Sequence, residues 1–211
     1  MYRLLVIMVF LTGYSALFSQ TILSADQRAK LQQQLTEKSD ETNTISCQFK
    51  QTKQMAVLAI PSISSGCFYY KKEAKICLEY ALPKGDKLVM SGDDFLIISN
   101  GKRNSADARS NPMMRGLKNL LVACMSGDIA QVSAGAKSQL EYAQTETQYL
   151  ITVRMDHKRK KAYIKEIILC FEKSDLSLSS LKMIDPSGDF TLYEFDQKRF
   201  NEPVNESLFK I

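Results

Sequence analysis

From Ser64 to Asp107 the chain alternates apolar and polar residues in short runs separated by turn residues. A period of two is the mark of strands with one face buried. Gly66–Lys72 and Ile76–Pro83 read as two such strands, with Glu73-Ala74-Lys75 as their connection. That loop sets Lys72 opposite Ile76, Tyr70 opposite Leu78 and Phe68 opposite Tyr80, and opposed residues share a face. Phe68, Tyr70, Ile76, Leu78 and Tyr80 then make one aromatic-aliphatic face with Lys72 at its rim. In this register Cys67 and Cys77 point to the other face, too far apart to bridge. Upstream, Asn43–Ala56 alternates with Ile45, Cys47 and Phe49 on one side, a half-buried strand, and Pro61–Ser65 turns into the next. Downstream, Lys84-Gly85-Asp86 leads into Lys87–Met90, and Ser91-Gly92-Asp93 leads into Phe95–Ser99. Asn100-Gly101 is a strong hairpin signal. The apolar face is larger than the surrounding sequence can obviously cover.

Two stretches change the period. Leu23–Lys38 reads as a helix with Ser24 as cap, Gln27 as capping-box partner and Leu31 and Leu35 on one face. Pro112–Gly127 carries Met113, Leu117, Leu120, Leu121 and Cys124 at helical spacing, starting at Asn111-Pro112 and stopping at Gly127. Strands follow at Ser138–Ala143, Gln148–Met155, Lys161–Phe171, Ser177–Asp185, Phe190–Phe195 and Ser207–Lys210. Roughly eleven antiparallel strands with two helices predict an α+β fold, and so long a sheet must curl or close.

The N-terminus refines the picture. A basic start at Met1–Arg3, an apolar core at Leu4–Leu11 and small residues over Thr12–Ser19 have the layout of a secretory signal peptide. Its apolar core falls far short of the roughly 18–20 residues that span a bilayer. Residues 1–19 are therefore expected to leave, and 20–211 to form a single domain. The net charge of +5 is spread along the chain and makes no nucleic-acid footprint. The five cysteines, Cys47, Cys67, Cys77, Cys124 and Cys170, form no CxxC and no zinc spacing, and an odd count leaves at least one thiol free. They read as small buried hydrophobes.

Candidate chemistry is sparse. The sole histidine, His157, sits in a basic turn and reads as solvated. G-x-S-x-G, H-E-x-x-H, P-loop and G-x-G-x-x-G motifs are absent. Asp93-Asp94 beside Gly92 reads as a turn rather than an acid pair. The expectation is a protein that is not an enzyme and uses no cofactor or metal.

Several segments, in order, resemble the LolA-type carriers of outer-membrane lipoproteins. Ile45-Ser46-Cys47-Gln48-Phe49-Lys50-Gln51 resembles the family's opening strand, and Gly66–Tyr80 its hairpin with a basic turn. Leu88–Ile98, with Ser91-Gly92-Asp93 inside it, resembles the next hairpin. Asp189–Phe195, Asn201 and Val204 through Phe209 resemble the closing segments. The resemblance implies an unclosed β-barrel whose concave apolar side is covered by helices. It implies a periplasmic, monomeric carrier of acylated lipoproteins, loaded by an inner-membrane ABC-type release complex and emptied by an outer-membrane acceptor.

On that resemblance Ile45, Cys47, Phe49, Phe68, Tyr70, Ile76, Leu78, Tyr80, Leu96 and Ile98 would line an acyl-chain cavity. Met113, Met114, Leu117, Leu120, Leu121 and Met125 would form a lid, and Lys72 the rim latch. Glu73 stands where the family usually has proline, and Lys72 where it usually has arginine, so a bidentate latch is not available. Ile76 and Leu78 replace rings. The plainer alternatives are an ordinary filled core for the face and a core helix for the lid. A sensing or binding module of the same fold, without a shuttle role, is the other functional reading.

Overall fold

A computed structural model describes residues 20–126, 129, 138–155 and 164–211. Residues 1–19, Gly127 and His157 lie outside the described residues, as do the side chains of Met113, Leu117 and Met125. The strands are β1 (Thr21–Ile22), β2 (Thr44–Gln54), β3 (Ser62–Lys71), β4 (Lys75–Leu82), β5 (Lys87–Ser91), β6 (Asp94–Ser99) and β7 (Lys102–Asp107). They continue with β8 (Ser138–Gln144), β9 (Gln148–Met155), β10 (Glu166–Glu172), β11 (Leu178–Ile184) and β12 (Phe190–Phe200). The helices are α1 (Ala25–Glu41) and α2 (Pro112–Ser126).

All twelve strands belong to one antiparallel sheet in the order β1-β8-β9-β10-β11-β12-β2-β3-β4-β5-β6-β7. Two up-and-down meanders, β2–β7 and β8–β12, are joined side by side where β12 pairs with β2. β1 and β7 are the outer strands and do not pair with each other, so the barrel is unclosed. Twelve strands replace the expected eleven: β1, too short to show a period, and β7, KRNSAD, too polar to show one, are gained, and the expected Ser207–Lys210 strand is lost.

The sequence period dictates the burial. Along β10, Ile167, Leu169 and Phe171 are buried while their neighbours are half-exposed. Along β2, Cys47, Phe49 and Gln51 are buried. The capping box of α1 forms as its sequence predicts: Ser24 N–H donates to Gln27 Oε1 at 2.8 Å and Gln27 N–H to Ser24 Oγ at 3.3 Å. Leu31 and Leu35 of α1, with Leu120 and Cys124 of α2, pack on Ile151, Val153, Ile167, Leu169 and Phe171. Met114 of α2 packs on the β2–β6 half of the same face. Both helices therefore cover one side of the sheet.

The β3–β4 hairpin is set two residues away from the expected register. Lys71 faces Lys75, Tyr70 faces Ile76, Phe68 faces Leu78 and Gly66 faces Tyr80. The loop is Lys72-Glu73-Ala74, closed by left-handed backbone at Glu73 (φ 79°) and Ala74 (φ 58°). A shift of two preserves side-chain parity, so the apolar face survives the correction. The register follows from close backbone approach at Gly66, where a Cβ would meet the Glu79 carbonyl oxygen at 2.0 Å. The Tyr80 ring meets Phe49 edge-on at 5.1 Å.

Two further expectations are corrected. Ser207–Lys210 is not a strand; Glu206–Phe209 is a 3-10 turn capped by Asn205, whose side chain accepts from Ser207 N–H at 2.9 Å. Phe209 is buried with Cys77, Val89 and Leu96 on the side of the sheet away from the helices. Glu206 pairs with Lys71 and Lys75 and holds the tail there. β12 runs past Phe195 to Phe200, with a bulge between Asp196 and Arg199 where Gln197 has φ 51°.

Gly66→Ala should cost at least about 2 kcal/mol, because the clash is with strand backbone and not a movable side chain. Urea unfolding of the two proteins would measure it, and an unchanged midpoint would contradict the close approach.

Candidate functional site

The face beneath the helices is built from direct cross-strand rows. One runs Ile45, Tyr70, Ile76, Met90, Phe95, and the next runs Cys47, Phe68, Leu78, Leu88, Ile97. On the other side of β2, Phe49 faces Phe195 and Ile45 faces Phe200. Phe68 meets Phe195 at 5.5 Å between ring centroids, tying the two meanders together.

Most of this face is closed. Phe49, Tyr70, Ile76 and Leu78 are buried with Met90, Phe95 and Met114. At the Ile45 end the packing opens into a cleft of about 590 Å³, its solvent-filled mouth included. The enclosed part is about 60 Å³, well below the roughly 300–1,000 Å³ of drug-sized ligand sites, so a whole acyl chain fits only if a helix moves. Leu35 of α1 and Cys124 of α2 form one wall. Ile45, Cys47, Phe68, Phe171, Leu178, Phe195 and Phe200 form the sheet side.

The polar lining is confined to Lys38, Ser39, Thr42, Ser177 and Lys198. Thr42 satisfies its own hydroxyl on the Lys38 carbonyl at 2.7 Å, and Lys198 Nζ donates to Ser177 Oγ at 2.7 Å. Lys38 Nζ lies 4.8 Å from the Phe200 ring centroid, a cation over an aromatic face. The cleft is thus an apolar trough with two ammonium groups and three hydroxyls among its walls. Its walls suit an alkyl chain and its ammonium groups an electron-rich head group.

Of the ten residues expected to line the cavity, Ile45, Cys47 and Phe68 do so. Phe49, Tyr70, Ile76 and Leu78 are core on the same face, and Tyr80 is half-buried beside them. Leu96 and Ile98 are a correction. Val89 pairs with Leu96, so Leu96 and Ile98 point away from the helices and are covered by Phe209. In β6 the inward residues are Phe95 and Ile97. Of the lid residues, Met114 and Leu120 are buried and Leu121 is half-buried against the core; Met113, Leu117 and Met125 lie outside the described side chains. Lys72 Nζ donates to the Asp40 carbonyl at 3.0 Å, so it ties down the C-terminal end of α1 and not α2. α2 is instead tied by Lys118 to Asp93.

Leu35, Phe171, Leu176, Leu178, Phe195, Lys198 and Phe200 are lining residues that the sequence reading did not assign. Their apolar periodicity was visible, but their meeting point depends on pairing between distant strands. Among the described residues no group of three or more His, Cys, Asp or Glu could hold a metal.

Burial governs the titration of the thiols. It pushes Cys47 and Cys124 in the cleft, and Cys77 behind it, from 9.0 up to about 12. A thiol raised in the folded state is neutral there at pH values where the unfolded chain would ionise it. Its contribution to stability is complete below pH 9 and is lost as pH rises from 9 towards 12. Urea unfolding midpoints should therefore fall across that window. At neutral pH iodoacetamide should label Cys47 and Cys124 far more slowly in the folded protein than in denaturant. Equal rates would mean that the cleft wall is open to solvent.

Comparison with known proteins places this geometry. The profile described as outer membrane lipoprotein carrier protein LolA matches residues 40–211. Comparison with curated proteins gives no match. Among solved structures, the chain is similar to an uncharacterized conserved protein from Thermus thermophilus, with TM-score 0.52 and 10% identity over 88% of this chain and 94% of that one. It is similar to the MucB structure, with TM-score 0.52 and 12% identity over 89% of this chain and 63% of that one. A LolA superfamily protein from Nitrosomonas europaea aligns over 85% of this chain and 97% of its own, with TM-score 0.42 and 11% identity. The first two likenesses are of fold; the profile match spans β2 to the C-terminus, and by it the chain belongs to the outer membrane lipoprotein carrier protein LolA family.

Proposed function

We propose that the protein is a periplasmic, non-enzymatic carrier that shelters lipoprotein acyl chains in the cleft under α1 and α2 and moves them from the inner to the outer membrane. The observation that carries this reading is an apolar trough, polar only at Lys38, Ser39, Thr42, Ser177 and Lys198, roofed by two helices on slender polar ties. In this reading an ABC-type complex of the inner membrane loads the protein and an outer-membrane acceptor empties it.

The magnitudes are compatible with a moving roof. Lifting α1 exposes Leu31 and Leu35, now 1% and 3% exposed. At roughly 1.5–3 kcal/mol each, that costs about 3–6 kcal/mol. Each acyl methylene taken out of water returns about 0.8 kcal/mol, so about four to eight methylenes offset the opening. A longer chain entering beneath α1 is then held, while the empty protein stays shut. The Lys72 bond to the Asp40 carbonyl adds one charge-assisted contact at a helix C-terminus, where a cation is favoured. Lysine's single point charge suits a latch that releases.

Mass spectrometry of organic extracts from gently purified protein should recover acylated lipoprotein or free acyl chains. Recovery of polar small molecules alone would defeat the carrier reading. Cys47→Phe, which fills the trough, should lower uptake of a fluorescent acylated peptide at least about tenfold, while costing no more than about 1–3 kcal/mol of stability. Wild-type uptake by that variant would place the chains elsewhere.

Lys72→Met should speed loading and release in stopped-flow exchange, with stability within about 1 kcal/mol of wild type. Unchanged exchange rates would remove Lys72 from the mechanism. A sensing module of the same fold would bind the peptide but fail to pass it to acceptor membranes, so a transfer assay separates the two readings.

A further inference from the structure

Most of the exposed large apolar side chains among the described residues lie far from the cleft. The connection between β2 and β3 carries Met55, Val57, Leu58 and Ile60, all exposed, and Ile63 and Leu82 at the adjoining strand ends are exposed with them. Val57 and Ile60 are 82% and 77% accessible, values usual for lysine and not for branched aliphatics. The tip is nevertheless held in shape. Ala56 N–H donates to Asp189 Oδ1 at 2.7 Å, and Leu58 N–H closes a turn on the Met55 carbonyl at 2.9 Å. An apolar tip presented on a fixed turn is a feature with a partner.

Charge identifies the partner. Lys53, Lys84, Lys102 and Arg103 are exposed on the same end of the sheet, and none of them forms an ion pair among the described residues. The nearby carboxylates are engaged as turn acceptors. Asp86 takes Ser99 Oγ and Asn100 N–H, Asp185 takes the amides of Ser187, Gly188 and Asp189, and Asp189 takes Ala56 N–H. Aliphatic side chains at the tip with unpaired cations around them match a bilayer interface carrying anionic head groups.

The geometry points to this end of the sheet as a membrane-docking surface: Val57, Leu58 and Ile60 enter the head-group boundary of an anionic bilayer, and Lys53 and Lys84 face its phosphates. The surface is separate from the cleft. Ile45 and Cys47 lie near the start of β2 and the tip follows its end, about 25–30 Å away at the rise of a strand. Docking and acyl binding can therefore succeed or fail independently.

The test is flotation of the mature protein with phosphatidylcholine vesicles, with and without about one-third phosphatidylglycerol. The wild type should float several-fold more with the anionic vesicles, and added salt should reduce that fraction. The double variant Val57→Asp, Ile60→Asp should lose about tenfold of the bound fraction, with its circular dichroism and its uptake of acylated peptide in solution unchanged. Lys53→Glu with Lys84→Glu should remove the preference for phosphatidylglycerol. Equal flotation with both vesicles, or undiminished flotation of the aspartate variant, would overturn the assignment. So would a concentration-dependent dimer that the aspartate variant dissolves, which would show that the tip covers a second copy of the chain.

Discussion

The antiparallel pairing of β12 with β2 is the contact on which both the sheet and its cleft rest. It joins residues about 150 positions apart, such as Phe195 with Phe49 and Phe200 with Ile45. Without it there are two meanders, each with an apolar face and a free edge, and neither could enclose anything. With it, the rows of one meander continue into the other, and rings from β2, β3 and β12 meet. The bulge at Asp196–Arg199 falls within this seam and lets β12 continue to Phe200 at the cleft.

The helices divide the joined face unequally. α2 reaches both halves: Met114 closes over Ile76, Leu78 and Phe95, and Leu120 and Cys124 pack on the β9–β11 side. α1 lies over the β9–β11 half with Leu31 and Leu35. Packing is complete beneath Met114 and incomplete where α1, the Cys124 end of α2, β12 and the β10–β11 turn converge. The cleft is therefore a gap between two filled regions, bordered by Lys38 and Lys198. On the opposite face, Phe209 and its 3-10 turn cover Cys77, Val89 and Leu96.

Surface chemistry follows the same economy. Carboxylates at the turns are used as local acceptors, and the cations beside them face solvent. Asp185 alone accepts from three successive amides, and these bonds, with the Ser187 hydroxyl, hold its carboxyl below the usual range. The protein thus has an apolar cleft at one end of β2 and an apolar, basic tip at the other.

The sequence by itself determined the local elements. The capping box of Ser24 and Gln27, the alternation of Ile45, Cys47 and Phe49, and the helical spacing after Pro112 each depend on neighbours within a few residues. The family's segment order, and with it the unclosed antiparallel fold, was legible for the same reason. Side-chain parity within a hairpin was legible too, and it survived a register error of two. Tertiary structure alone decided which rows became core and which became cleft, because that depends on where α1 and α2 lie and on the distant pairing of β12 with β2. It also decided that Leu96 and Ile98 face outward under Phe209, and that Lys72 holds α1. Parity in β6 cannot be read across two turns of unknown length, and a lysine at a hairpin tip does not reveal in sequence which helix end lies within its reach.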